Sequence, residues 1–159
     1  MRLLLVVLAI LLPSTCLAGM PASVLTLDQP SVVALYTPTA DVTEAEENAD
    51  GFADFIDDFE TYRMAIASAL RGNKNVRFIN SSAGTIRFSN AAHAPISRES
   101  LSGYGFIVYV PGKAPAIFGG VATDHDVLCE LQRLLPQAVA PLNCWPNNSF
   151  KPKPLRGSA

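Results

Sequence analysis

The chain has 159 residues, with 12 Lys and Arg against 14 Asp and Glu, for a formal net charge of −2. That length suits one domain with a single core, and scattered basic residues in a slightly acidic chain argue against nucleic acid as a partner. The small net charge hides a polarity: residues 19–60 carry ten acids and no Lys or Arg, while residues 61–159 carry eleven basic residues and four acids.

The first residues bear on location. Met1 and Arg2 precede "LLLVVLAILL", Pro13 ends the run, and "CLA" supplies small residues before Gly19. A basic start, a short apolar core and a small-residue exit predict a signal peptide over 1–18, cut after Ala18, and hence an exported, periplasmic or secreted chain. The run is shorter than the roughly 20 apolar residues of a transmembrane helix, and no later segment reads as one. Cys16 opens a lipoprotein alternative, for which "PST" is a poor lead-in. The domain is expected over 19–145, followed by a Pro-rich basic tail, 146–159, without fixed structure.

Cys129 and Cys144 are the cysteines beyond the signal. In an oxidising compartment such a pair reads as one structural disulfide. Its spacing is far from C-x-x-C, which argues against a redox-active pair.

"ASVLTL" (22–27) alternates like an edge strand. "SVVALY" (31–36) is nearly continuous apolar, as in a strand covered on both faces. Thr43 and Glu46 form a T-x-x-E capping box at the start of an acidic helix. Gly51 interrupts or weakens that helix. Beyond it Phe52, Phe55, Ile56, Phe59, Tyr62, Ile66 and Leu70 recur at helical spacing and predict one buried stripe, and "RGN" (71–73) stops it. "NVRFI" (75–79) reads as a second core strand, parallel to the first because a helix joins them. "TIRF" (85–88) reads as a short strand across a turn from it. "GFIVYV" and "PAIFGG" flank "PGK" and predict a β-hairpin. "TDHD" (123–126) caps a final helix whose buried face is Val127, Leu128, Leu131, Leu134 and Leu135.

"VVALYTPTADVTEAEEN", "GYGFIVYVPGKAPAIFGG" and "TDHDVLCELQRLL" in this order resemble the thioredoxin-like fold: a parallel β-α-β half, then a hairpin and a terminal helix, over Ser31 to Leu135. The resemblance implies an α/β, three-layer sandwich with a central mixed sheet flanked by helices. Redox members of that family carry two cysteines where the first helix begins, and a cis-proline before the hairpin. Here Thr37, Pro38, Thr39 and Ala40 stand at the first place, and "LSGYGFIV" has no proline at the second. A threonine hydroxyl does not ionise usefully near neutral pH, and Asp41, Glu44 and Glu46 disfavour an anion nearby. No catalytic residue is therefore carried over.

Other chemistry finds little support. Asp124, His125 and Asp126 are adjacent at a helix start and point apart, so they read as caps rather than metal ligands. His93, between alanines, reads as a surface residue without a partner. There is no G-x-S-x-G elbow and no phosphate-cradling glycine loop. Asp57 and Asp58 fall on different helix faces. No cofactor and no metal are expected.

The reading that follows is a non-catalytic binding or accessory module for a protein partner of basic charge in the cell envelope. Its expected contact residues are the loop Thr37, Pro38 and Thr39 and the acids Glu44, Glu47, Asp54 and Asp58. The alternatives are an atypical thiol oxidoreductase, another envelope enzyme, or a structural subunit of an envelope complex.

Overall fold

The computed structural model describes residues 23–90 and 92–144. The signal peptide, Cys16 and the tail at 146–159 lie outside the described residues.

Two strands organise the architecture. β2 (Ser31–Leu35) and β6 (Gly105–Tyr109) run antiparallel, with Leu35 opposite Gly105, and every residue of both is buried. Successive side chains on a strand point to opposite faces, so both faces must be covered, and this is why neither strand alternates with polar residues. Outside them, β3 (Arg77–Ser81) pairs parallel to β2 and β7 (Ala116–Gly119) antiparallel to β6. The sheet order is β3-β2-β6-β7.

Helices cover one face. α1 (Glu44–Glu47) is a single turn, α2 (Phe52–Ala69) is long, and α3 (Asp124–Leu134) follows the hairpin. Val32, Ala34, Phe106 and Val108 pack there with Phe59 and Ile66 of α2 and with Val127, Leu128, Leu131 and Leu134 of α3. The predicted stripe of α2 faces this core, with Phe59, Ile66 and Leu70 buried but Phe52, Phe55, Ile56 and Tyr62 only partly so, and the predicted face of α3 is buried except for Leu135 at the core's edge. The predicted capping box of Thr43 with Glu46 is present on α1, and the predicted cap of α3 takes the form of a second box, Thr123 with Asp126.

The opposite face departs from the expected flanking helices. It is covered by a second sheet of β1 (Val24–Leu27), β4 (Thr85–Phe88) and β5 (Ile96–Ser97), in the order β1-β4-β5. Val33, Leu35, Ile107 and Tyr109 pack against Leu27, Ile86, Phe88 and Ile96. The physical reason is visible in the spacing: Ile86 and Phe88 stand two apart, a strand period that a helix cannot bury on one side. β4 is also no hairpin partner of β3. It leaves the first sheet and pairs parallel to β1, Val24 opposite Thr85.

Gly51 is the break between α1 and α2. It takes φ of 75° at the N-cap of α2, a conformation that other residues adopt only with strain. After α3 the chain doubles back along that helix. Asn73 donates to the Ala138 carbonyl, Leu142 N donates to Gln132 Oε1 at 2.9 Å, and Cys144 is disulfide-bonded to Cys129.

One histidine departs from its expected place. His93 is half-buried and stands edge-on to the Phe88 ring, centroids 6.0 Å apart, so it has an aromatic partner in the second core. His125 makes no hydrogen bond with its neighbouring aspartates among the described residues; its Nε2 stands 3.5 Å from Cys129 Sγ, one helical turn on. No helix among the described residues is long and apolar enough to cross a membrane.

Candidate functional site

Because Leu35 lies opposite Gly105, the segment leaving β2 and the segment entering β6 meet at one end of the sheet. Thr37 comes two residues after β2 and Gly103 two residues before β6. The Thr37 hydroxyl donates to the Gly103 carbonyl at 3.1 Å, and the Tyr104 hydroxyl donates to the Thr37 carbonyl at 3.3 Å. These crossed bonds fix the two segments side by side.

A cleft of about 580 Å3 opens between them. One side is the loop from Thr37 to Thr43, continued by Glu46 and Ala49. The other is the segment Arg98–Gly103, which begins as a 3-10 helix, Arg98–Leu101. Phe52, Phe55 and Tyr104 supply the aromatic lining. The break at Gly51 matters here, because it turns the chain between Ala49 and Phe52, both of which line the cleft.

Tyr104 is the anchor of the aromatic part, only 8% exposed. Phe52, Phe55 and Phe59 each meet its ring edge-on, with centroids 6.5, 5.5 and 5.4 Å away. Such contacts add about 0.5–1.5 kcal/mol each beyond burial. Burial raises the Tyr104 phenol above its ordinary 10.0, the charge of Glu46 adds to this, and Arg98 opposes it. The hydroxyl is therefore a neutral donor at physiological pH, not a base.

The Arg98 side is held in a constrained backbone. Ser102 and Gly103 both have positive φ, 53° and 83°, and two such residues in succession persist only where neighbours hold them. Ser102 N donates to Glu99 O at 3.0 Å and Gly103 N to Arg98 O at 3.1 Å. The Arg98 guanidinium donates to Ser82 O at 2.9 Å through Nη1 and reaches Asp41 Oδ2 at 3.4 Å through Nη2. It ties the cleft's two sides together at one point.

Glu46 accepts from the backbone and hydroxyl of Thr43, at 2.9 and 2.7 Å. Those two bonds hold its carboxyl below its ordinary 4.5, so it is charged across the neutral range. With Asp41 and Glu99 it gives the cleft three acids against one Arg.

Of the residues expected from sequence, Thr37 lines the cleft; Pro38 and Thr39 stand in the same loop without lining it. Glu44, Glu47, Asp54 and Asp58 are exposed on α1 and α2 and lie outside the cleft lining. Arg98, Glu99, Ser102, Gly103 and Tyr104 were not legible as site residues. "SRESLSGY" has weak periodicity, and only the pairing of β2 with β6 brings it beside Thr37. The Cys129–Cys144 disulfide is not part of the cleft lining. No group of His, Cys, Asp and Glu among the described residues is arranged to hold a metal ion.

No family model, no curated protein and no solved structure matches this chain.

Proposed function

We propose that this chain is an exported, thioredoxin-like binding module without thiol chemistry, and that its cleft receives a protein partner in the cell envelope. The observation that carries the reading is the Thr37–Gly103 hydrogen bond at the cleft. The residue leaving β2, at the place where redox members of the resembled family keep a reactive thiol, spends its hydroxyl on holding the backbone of the opposite side. The group therefore shapes a cleft and is not available as a nucleophile. The strand order β3-β2-β6-β7, with α2 joining the two parallel strands and α3 after the hairpin, supports the fold resemblance.

The four exposed acids Glu44, Glu47, Asp54 and Asp58 fit this reading as a steering surface beside the cleft. Their field speeds the approach of a basic partner, while the cleft supplies the contact area. The thiol oxidoreductase reading is not favoured, since Cys129 is buried within α3 and bonded to Cys144.

The test is retention of envelope proteins on the immobilised chain, compared with an Ala49→Trp variant. Ala49 is exposed and lines the cleft, so an indole there fills the opening without disturbing the core. The expected result is a protein retained by the natural chain and by a Lys74→Ala control, and lost with Ala49→Trp. Equal retention by all three would place the contact elsewhere.

A further inference from the structure

Resting on the reading of the cleft as a protein-binding site, we infer that it is built for one lysine or arginine side chain on an extended segment of the partner. The volume, about 580 Å3, lies in the range of small-ligand pockets and accommodates a few side chains, not a folded element. Its lining divides into an aromatic part, Phe52, Phe55 and Tyr104, and a charged part, Glu46 and Glu99. A long basic side chain matches that division. Its methylenes cover apolar surface while its charged head stays among acids, and a cation near an aromatic face gains further attraction.

The charge argument rests on which acids are already compensated. Asp41 faces Arg98, whose other amino group is tied to the Ser82 carbonyl. Glu46 and Glu99 form no ion pair among the described residues. Glu46 still feels Tyr104 across the cleft, since its charge helps raise that phenol. Glu44, Glu47, Asp50 and Asp54, near the lining residues Glu46, Ala49 and Phe52 in the chain, are exposed, and no Lys or Arg occurs between residues 19 and 62. An anionic segment would meet uncompensated negative charge here. A divalent cation would need converging ligands, which the described residues do not provide. A monovalent ammonium or guanidinium on an apolar stem is the remaining fit.

The test uses two blocked pentapeptides, identical except for lysine or norleucine at the centre, titrated into the purified chain and followed by NMR. The lysine peptide is expected to shift the resonances of Thr37, Phe52, Gly103 and Tyr104, and to bind about tenfold more tightly than the norleucine peptide, as a charge-assisted contact should. Glu46→Gln with Glu99→Gln is expected to abolish that difference. Glutamine at position 46 can still close the capping box, so the fold is kept, and Glu99→Gln alone should remove part of the preference.

Equal binding of both peptides in the cleft would overturn the cation inference and leave the protein-binding reading standing. Shifts confined to the outer surface of α2, or no shifts with either peptide, would overturn both. The segment from Phe150 to Arg156 carries Lys151, Lys153 and Arg156. If neutralising those three shifts the same resonances with no peptide added, the occupant is this chain's own segment and the assignment to a partner falls.

Discussion

Thr37 Oγ1 stands 3.1 Å from the Gly103 carbonyl, and a Cβ built on Gly103 would stand 2.2 Å from that same hydroxyl. The two residues therefore fit only while position 103 carries no side chain, and the Thr37 hydroxyl adds a hydrogen bond to that fit. Gly103→Ala must push Thr37 aside and also hold alanine at a φ of 83°. It should cost about 2–4 kcal/mol, read by urea unfolding. Thr37→Val keeps the shape and loses the bond, at about 1 kcal/mol. A cost below about 0.5 kcal/mol for Gly103→Ala, the low end for a single hydrogen bond, would mean the two segments are not held together as described.

Tyr104 is the apolar counterpart of that lock. Tyr104→Ala removes a ring that three phenylalanines meet edge-on and should cost about 3–5 kcal/mol. Tyr104→Phe loses only a long hydrogen bond to Thr37 O, about 1 kcal/mol or less. The phenol's raised pKa also gives a sign. An acid that ionises later folded than unfolded contributes stability below its ordinary 10.0, and that contribution is lost as pH rises toward the raised value. Alkaline unfolding of Tyr104→Phe should be less steep above pH 10.0 than that of the natural chain.

Much of the fold was readable in the residues. "SVVAL" and "GFIVY" lack alternation because both faces are covered, and that signal survives whatever covers them. What covers each face is a different question. The strand period of 22–27 and 85–88 is local, but their pairing with each other and with Ile96 joins residues across long gaps in the chain, and nothing local says that these strands form a sheet of their own over one face. The site followed the same division. Thr37 could be found because it closely follows a strand. Glu99 and Tyr104 could not, because their place beside Thr37 is created by the register of β2 against β6. The acids of α1 and α2 were legible as charge, but charge alone does not say which of them border a concavity.

The α1 capping box gives a pH prediction in the opposite sense. The bonds from Thr43 hold Glu46 below 4.5, so the cap's contribution is complete above that pH and is lost as pH falls through the lowered value. The Glu46 carboxyl carbon, followed by NMR, should titrate below 4.5, and Thr43→Ala should move it back toward 4.5. An unchanged midpoint in the variant would mean the box is not formed in solution.

The Cys129–Cys144 bridge closes 15 residues of sequence. In the chain-entropy model a loop of that size stabilises by about 3 kcal/mol. Cys129→Ala with Cys144→Ala should lower the unfolding free energy by roughly that amount while leaving cleft binding intact at low temperature. A variant that keeps its stability and loses binding would instead give the thiols a functional role.

The central claim is that the cleft, and not the outer surface of α2 alone, meets the partner. Its most direct test is a photo-crosslinking residue placed at Val42, which lines the cleft, or at Lys74, beyond the far end of α2, in the cell that makes the protein. One discrete adduct is expected from position 42, absent from position 74 and diminished by Ala49→Trp. An adduct from position 74 with none from position 42 would overturn the claim.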